Sequence, residues 1–324
     1  MSKIGLRTAL LLGAVLAVAP AAAQKVDLDP GIQPYAAVSG ISGNLSSVGS
    51  DTLNNLMTLW SEGFRKLYPS VRVQVEGKGS STAPPALIEG TAQFGPMSRA
   101  MKNREADEFE ARFGYPPVPM RVAVDALAVY VHKDNPLERL TLAEVDAIFS
   151  KNRRCGLAAG IDSWDQLGVG GALDGEPIRL YGRNSASGTY GYFKNVALCK
   201  GDFRDTTKEQ PGSASVVQGV TEDLSGIGYS GIGYRTSGVR TLVLAAEEGG
   251  AYASTEPGDV YSGAYPLARF LYVYVNKPPN EKLEPLSEEF LRFVFSQAGQ
   301  EIVLKDGYLP LPAAIADQEL AKLD

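Results

Sequence analysis

The sequence predicts an α/β protein of two lobes, each a mixed sheet flanked by helices, with two crossover strands joining them. Two long apolar stretches, 122–131 and 266–275, each suit a buried strand, and they bracket a middle segment. That pattern is typical of one domain inserted into another. We therefore expect a discontinuous lobe 1 of residues 43–126 and 268–324, a continuous lobe 2 of residues 127–267, and a ligand cleft between them.

Lobe 1 is predicted from an alternation of short strands and helices. Apolar residues recur at helical spacing from Leu53 to Leu67, and residues 71–75 alternate in the manner of a strand. Three strands here end in loops of small or hydroxyl residues, and in open α/β sheets ligands bind where such loops gather. The predicted elements are strands 43–48, 71–75 and 92–95, and helices 53–67, 83–88, 102–112 and 287–298.

Lobe 2 is predicted from weaker signals. Thr141 is a suitable cap for a helix, and a short apolar run at 177–181 reads as a buried strand. The sequence Ser-Gly-Ile-Gly-Tyr occurs twice, at 225–229 and 230–234, and we expect its tyrosines to pack beneath the sheet of this lobe. The predicted elements are helix 141–149, loop 164–174, strand 177–181, a helix from Thr189 to Ala197, helix 213–222 and strand 239–245.

The first residues predict a secretory signal peptide rather than part of the fold. A positively charged start precedes an apolar run at 9–19, and residues 21–23 are all alanine, which offers a cleavage site. Residues 1–23 are therefore expected to be removed on export to the periplasm, and the polar segment 24–42 is expected to be a loose leader. No later stretch approaches the roughly 18 apolar residues that a membrane helix needs.

Charge and cysteine content narrow the function classes. The formal net charge of −6 argues against nucleic acid as a partner, because nucleic-acid binding needs a basic face. Cys155 and Cys199 are the only cysteines, and in an oxidising compartment one disulfide between them is the default. With His132 as the only histidine, the sequence supports neither a zinc site nor Cys–His catalysis, and we expect no cofactor.

The stretch 179–193 carries the strongest functional signal. A buried strand ends in a hydroxyl-rich loop that holds Arg183 between Gly182 and Gly188, and a helix follows. Backbone N–H groups at a helix start favour an anion, Gly188 permits close approach, and the guanidinium of Arg183 matches a tetrahedral oxyanion. From the loop alone, a Ser/Gly turn capped by Thr189, with Arg183 merely solvated, is equally compatible.

Three motifs together resemble those of the periplasmic phosphate-binding proteins of ABC-type phosphate importers, over roughly residues 43–312. They are Gly49-Ser50-Asp51-Thr52-Leu53, Gly77-x-Gly79-Ser80-Ser81 and Arg183-x-x-x-Ser187-Gly188-Thr189. The resemblance implies the two-lobed type II periplasmic-binding-protein fold, with phosphate held between the lobes by hydroxyls, backbone N–H groups and one arginine. The ligands it implies are Thr52, Leu53 (main chain), Ser80, Arg183, Ser187, Gly188 (main chain) and Thr189.

Two positions depart from the family pattern. The family carries an aspartate where this chain has the run 94–99, Phe-Gly-Pro-Met-Ser-Arg, and a second aspartate where this chain has Ser185. Arg99 therefore predicts a site more cationic than the family pattern, which leaves discrimination between phosphate and sulfate open. Asp51 could accept the phosphate proton instead, or it could cap the helix 53–67. Further candidate ligands are Asp51, Ser81, Ser98 and Arg99.

The resemblance implies an exported, non-enzymatic receptor that delivers inorganic phosphate to the membrane permease of an ABC importer, and we expect a monomer. One alternative is an exported phosphatase or phosphoryl-transfer enzyme with Ser98 or Ser187 as nucleophile. Serine needs a base or a metal for activation, and the sequence has one histidine and no evident cluster of metal ligands. A second alternative, a secreted phosphate scavenger on the same fold, stays open.

Overall fold

The computed structural model describes residues 26–324, so the predicted signal peptide, residues 1–23, lies outside the described residues. Within residues 26–324 the chain forms eleven strands and ten α-helices. The strands are β1 (Gly43–Gly49), β2 (Val71–Gly77), β3 (Gly95–Met97), β4 (Val118–His132), β5 (Arg139–Thr141), β6 (Arg179–Arg183), β7 (Lys208–Gln210), β8 (Gly226–Gly231), β9 (Val239–Thr241), β10 (Val243–Ala245) and β11 (Ala268–Val275). The helices are α1 (Asn54–Leu67), α2 (Ala83–Ile88), α3 (Asn103–Phe113), α4 (Leu142–Phe149), α5 (Gly188–Val196), α6 (Ser213–Thr221), α7 (Pro257–Tyr261), α8 (Pro285–Phe295), α9 (Gln297–Lys305) and α10 (Ala313–Leu320).

The strands form one seven-stranded sheet and two small parallel pairs, β1–β2 and β5–β10. The order across the large sheet is β3-β11-β4-β8-β6-β7, and β9 also pairs with β4. The sheet is mixed, because β4 is antiparallel to β11 and β8 whereas β6 is parallel to β7 and β8. The two strands predicted as crossovers, β4 and β11, are neighbours within it.

β4 is a single strand of 15 residues that changes partners along its length. Its residues 118–126 pair with β11, and residues 127–131 pair with β8. The change falls between Ala126 and Leu127, where the sequence predicts a boundary between the lobes. That boundary and the one at 267/268 stay predictions, and the two groups of elements are called lobe 1 and lobe 2 below by this division.

In lobe 1, α1 buries the apolar face that the sequence predicts. Trp60 and Phe64 are fully buried, and Trp60 Nε1 donates to the Gly299 carbonyl at 2.8 Å. The Phe64 ring packs edge-on against Phe290 at 5.3 Å between centroids. α1 is thereby fixed against α8 and α9, so the loop before it has a rigid support.

The segment predicted as a loose leader is irregular, but over residues 26–42 it is packed rather than loose. Ile32 is only 6% exposed, and the Tyr35 ring lies edge-on to Phe293 at 5.7 Å. The Tyr35 hydroxyl donates to Glu289 at 2.6 Å and lies 2.7 Å from the Tyr68 hydroxyl. These apolar and aromatic side chains bind the segment to lobe 1.

In lobe 2, an aromatic cluster underlies β6 and β8. The Tyr229 ring stacks on Phe193 of α5 at 3.9 Å, and Phe149 of α4 lies edge-on to both rings. Tyr229, from the first copy of the five-residue repeat, is thus buried under the sheet as predicted. Tyr234, from the second copy, differs: its hydroxyl reaches lobe 1 and donates to the Asp51 carbonyl at 2.9 Å.

The predicted disulfide between Cys155 and Cys199 is confirmed, with their Cα atoms 5.5 Å apart. Cys155 follows α4 and Cys199 follows α5. The bond therefore ties the end of α5 to a loop of the same lobe.

Several predicted elements differ in their bounds, because long-range pairing sets them. The third strand is Gly95–Met97 rather than 92–95, since it pairs with β11, while Phe94 forms only an isolated bridge to Ser47. Strand 239–245 is two strands, β9 and β10, whose partners are β4 and β5. Helix 287–298 ends at Phe295, and Ser296 caps a new helix, α9. Loop 164–174 contains two short 3-10 turns, Trp164–Leu167 and Gly171–Leu173.

Candidate functional site

The ends of three lobe 1 strands bring predicted hydroxyl residues together. β1 and β2 run parallel with Gly49 opposite Gly77, so the loops that follow them start side by side. β3 joins them through a hydrogen bond of 2.8 Å from Ser50 N to the Pro96 carbonyl. The buried hydroxyl residues placed here are Ser50, Thr52, Ser80 and Ser98.

Hydroxyl groups from both lobes form one connected cluster. Thr52 Oγ1 of lobe 1 lies 3.0 Å from Thr189 Oγ1 of lobe 2. Ser98 Oγ lies 3.1 Å from Ser50 Oγ and 3.3 Å from Ser80 Oγ, and it is also 3.4 Å from Thr189 Oγ1. Each of these hydroxyls carries one hydrogen that it can donate, and Ser50 already donates its hydrogen to Ser98 Oγ.

The start of α5 supplies the lobe 2 side of the cluster. Ser187 is its N-cap, and Ser187 Oγ accepts the N–H groups of Thr189 at 3.1 Å and Tyr190 at 3.4 Å. The alternative in which Thr189 caps this helix is therefore wrong. The Thr189 hydroxyl is directed to the other lobe instead.

Gly188 lies where the two lobes are in close contact. A Cβ atom at this position would lie 2.2 Å from Ser80 Oγ and 2.7 Å from Ser98 Oγ, well inside contact distance. Glycine is thus required here by space, because the position of its missing side chain is already taken by the two serines. A second lobe contact lies beside it, where Ser81 Oγ donates to the Ala186 carbonyl at 2.9 Å.

Arg183 is 1% exposed, so the solvated alternative for this side chain is wrong. Its Nη1 donates to Ser213 Oγ at 2.6 Å and lies 3.1 Å from Asp51 Oδ2, and its Nη2 donates to the Pro211 carbonyl at 3.1 Å. Among the described residues its Nε has no hydrogen-bond partner. Burial lowers the pKa of Arg183, and the Asp51 charge partly offsets that shift.

Asp51 connects lobe 1 to the start of α6 in lobe 2. Its Oδ2 accepts the Ser213 N–H at 2.8 Å, and the positive end of the helix dipole favours a carboxylate there. The N-cap of α1 is Leu53, without a side-chain hydrogen bond, so the alternative role of Asp51 as a cap of that helix is wrong. Leu53 itself is buried at the end of a 3-10 turn, Asp51–Leu53.

Arg99 is buried but does not join the hydroxyl cluster. Its Nη1 and Nη2 donate to the two carboxylate oxygens of Glu105, both at 2.7 Å, which is a bidentate ion pair. Burial alone would raise the pKa of Glu105, but the hydrogen bonds from Arg99 and Lys102 N hold it below its usual value. Arg99 therefore adds no unpaired charge, and the expectation of an unusually cationic site does not hold.

Two charged residues that the sequence analysis passed over lie beside the cluster. Arg269 of β11 donates from Nε and Nη2 to Asp125 Oδ2 of β4, at 2.9 and 2.7 Å. The Arg269 guanidinium also donates to the Ser98 carbonyl at 2.8 Å and to Thr189 Oγ1 at 2.9 Å. The sequence feature that could have revealed them is that each is the one charged residue inside an otherwise apolar predicted strand.

His132, the only histidine, lies far from the serines of the hydroxyl cluster. His132 ends β4, seven residues beyond Asp125, which at about 3.3 Å per residue is roughly 23 Å along the strand. Among residues 26–324, no group of three His, Cys, Asp or Glu side chains is arranged to hold a metal ion. Over the same residues, no helix is long and apolar enough to cross a membrane.

The family model for the PBP superfamily domain matches residues 34–298. The phosphate-binding protein PstS of Pseudomonas aeruginosa is 55% identical over 303 residues, which cover 94% of each chain. The chain belongs to the PstS family. The protein SphX of Synechococcus elongatus is a more distant relative, 29% identical over 82% of this chain and 77% of its own.

Solved structures of low sequence identity share the fold. A Clostridium perfringens protein assigned as a phosphate ABC transporter substrate-binding protein superposes with a TM-score of 0.70, at 23% identity, over 83% of this chain and all of that one. An ABC-type phosphate transport receptor from Vibrio cholerae gives a TM-score of 0.64 at 20% identity, over 82% of this chain and all of that one. The two-lobed α/β fold predicted from the sequence is thereby confirmed.

Proposed function

We propose that this protein binds inorganic phosphate between its lobes and delivers it to the permease of an ABC-type importer. The observation that carries the proposal is the buried hydroxyl cluster shared by both lobes, at the start of a helix and beside Arg183. Such donors match an oxyanion that has lost its water shell. The 55% identity to a protein named phosphate-binding protein PstS supports the same ligand.

Each predicted ligand has a role in this proposal. The hydroxyls of Thr52, Ser80, Ser98 and Thr189 would exchange their contacts with one another for contacts with phosphate oxygens. The main-chain N–H groups of Leu53 and Gly188 would add two donors, and Arg183 would add its unpartnered Nε–H. Ser187 would act mainly through its cap of α5, since its oxygen already accepts two N–H groups.

Asp51 is proposed as the acceptor that distinguishes phosphate from sulfate. Its Oδ2 is engaged by Ser213 N and Arg183, whereas no hydrogen bond to its Oδ1 occurs within residues 26–324. A free carboxylate oxygen can accept the P–O–H hydrogen of HPO₄²⁻ but repels an anion without a proton. This assignment replaces the family aspartates, which this chain lacks at those positions.

Titration calorimetry of the ligand-stripped protein with phosphate, arsenate, sulfate and molybdate tests the ligand. We expect tight binding of phosphate and arsenate and much weaker binding of the other two. Small-angle scattering should show a smaller radius of gyration with phosphate, because two lobes joined by two strands can close around a ligand. Sulfate binding as tight as phosphate binding would overturn the proposal.

Export through a cleavable signal peptide, residence in the periplasm and a monomeric state belong to the same proposal. A periplasmic fraction that contains protein starting near Gln24 supports export, and the mass in solution gives the oligomeric state. A permease gene beside this one would favour transport over a free scavenger. We propose no catalysis, so release of p-nitrophenol from its phosphate ester should not exceed the background.

A further inference from the structure

The two crossover strands carry one buried ion pair at the point where they lie side by side. Asp125 is the only charged residue in 122–131, and Arg269 is the only one in β11. They are direct partners in the antiparallel register of β4 and β11. Asp125 is 0% exposed and Arg269 is 7% exposed, so the pair is withdrawn from water.

This pair contacts both lobes. Arg269 Nη1 donates to the Ser98 carbonyl of lobe 1, and Arg269 Nη2 donates to Thr189 Oγ1 of lobe 2. Asp125 Oδ1 accepts the N–H of Ile232 of lobe 2 at 3.0 Å. The two bonds from Arg269 to Asp125 and its bonds to Ser98 and Thr189 together use four of the five guanidinium hydrogens.

The contact to Thr189 determines what that hydroxyl can do. A guanidinium can only donate, so Thr189 Oγ1 must accept from Arg269, and its single hydrogen is left to point elsewhere. Ser80 is arranged in the same way, because its Oγ accepts the Ser98 N–H at 3.0 Å. In this arrangement the hydrogen of each of these two hydroxyls is directed away from its own donor and is left for another acceptor.

Stability alone does not account for a pair in this position. Taking two charges out of water is expensive, and buried ion pairs can often be replaced by apolar residues without loss of stability. The strand neighbours of both residues are apolar. The contacts to Ser98 and Thr189 are what this pair adds.

We propose that Arg269, held by Asp125, is a positioning residue of the anion site that fixes the Thr189 hydroxyl as a donor. This inference rests on the proposed function, since it concerns the same site. Asp125 cancels the formal charge of Arg269, so the pair directs a hydrogen bond toward the anion without adding net charge.

The test is a double-mutant cycle on phosphate affinity, with Arg269→Gln, Thr189→Val and both together. Each single change should weaken phosphate binding by about tenfold to a hundredfold, the range for a hydrogen bond to a charged group. If Arg269 acts through Thr189, the double variant should bind within about twofold of Thr189→Val. Additive losses, or wild-type affinity in Arg269→Gln, would overturn the inference.

Two further variants keep the result interpretable. Arg121→Gln is the matched control, because Arg121 lies on β4 and pairs with buried Glu319, and it should leave affinity unchanged. If Arg269→Gln fails to fold in a thermal melt, Arg269→Lys replaces it in the cycle. Lysine keeps the charge and a donor but not the planar guanidinium geometry, so the cycle is read in the same way, and losses that add to those of Thr189→Val would overturn the inference. Failure of the wild type to bind phosphate would instead reject the proposed function.

Discussion

Two buried arginines lie beside the cleft, and they are held in different ways. Arg183 ends a strand and pairs with Asp51 of the other lobe, whereas Arg269 lies within a strand and pairs with Asp125 of the adjacent strand. The first pair separates if the lobes move apart, and the second does not. Opening of the lobes would therefore take Arg183 from its carboxylate, whereas Arg269 would keep Asp125 and lose only its contact to Thr189.

The unused hydrogens of the two guanidinium groups differ as well. Arg183 Nε has no partner within residues 26–324, while Arg269 has four of its five hydrogens engaged. A donor that is buried without a partner is unfavourable unless a ligand satisfies it. The difference supports the proposed direct anion contact of Arg183 and the proposed indirect role of Arg269.

The largest loss of phosphate affinity is expected for Arg183→Ala. Loss of a buried charged partner costs about 2–5 kcal/mol, so phosphate affinity should fall thirtyfold to several thousandfold. Arg183→Lys should lie between this variant and the wild type, because it keeps the charge without the planar fork. Titration calorimetry measures both, and tight binding by Arg183→Ala would reject direct contact.

The next largest effect is expected for Asp51→Asn. This change removes the carboxylate that joins Arg183 to the start of α6 and that is proposed to accept the phosphate proton. Phosphate affinity should fall about tenfold, in line with loss of one hydrogen bond to a charged group. Sulfate affinity should stay level or rise, because a repelling charge is gone. An unchanged ratio of the two affinities would exclude Asp51 as the selective residue.

The smallest effect on binding is expected for Arg99→Ala, since Arg99 pairs with Glu105 outside the hydroxyl cluster. Phosphate affinity should change by less than about twofold. Stability should fall by about 1–3 kcal/mol at pH 7, because a largely buried carboxylate loses its partner.

The pH dependence of that loss gives a further check. The pKa of Glu105 is below its ordinary value of 4.5 in the folded protein, so its stabilisation is present above that value and is lost as the pH falls through the lowered pKa. The stability difference between wild type and Arg99→Ala should therefore shrink between pH 5 and pH 3. Urea melts at several pH values measure it, and a constant difference would contradict this account.

The sequence predicts the loop that holds Arg183 much better than the ion pair that holds Arg269. The loop after β6 holds its hydroxyls, glycines and arginine within a few consecutive residues, so local sequence is enough. The Asp125–Arg269 pair joins residues 144 positions apart, and it depends on the register between two strands. No local sequence feature sets that register. The predicted bounds of β3 were wrong for the same reason, since its pairing with the distant β11 sets them.

Arg99 shows a different limit. Its partner Glu105 is only six residues away, and Glu105 also accepts the Lys102 N–H at the start of α3. The expectation of a cationic site came from the missing family aspartate, and it did not consider the nearby Glu105 carboxylate as a partner of Arg99. The direction of a side chain at the end of a strand is decided by its partners, which residue type alone does not reveal.

Gly188 has a practical consequence for work on this protein. One added methyl group would stand 2.9 Å from Ser80 Cβ as well as against two hydroxyl oxygens, so rotation of a serine side chain cannot make room for it. Gly188→Ala would then act as a wedge that arrests the protein in its open shape. An arrested form of this kind would show whether a permease recognises the lobes themselves or only their closed arrangement.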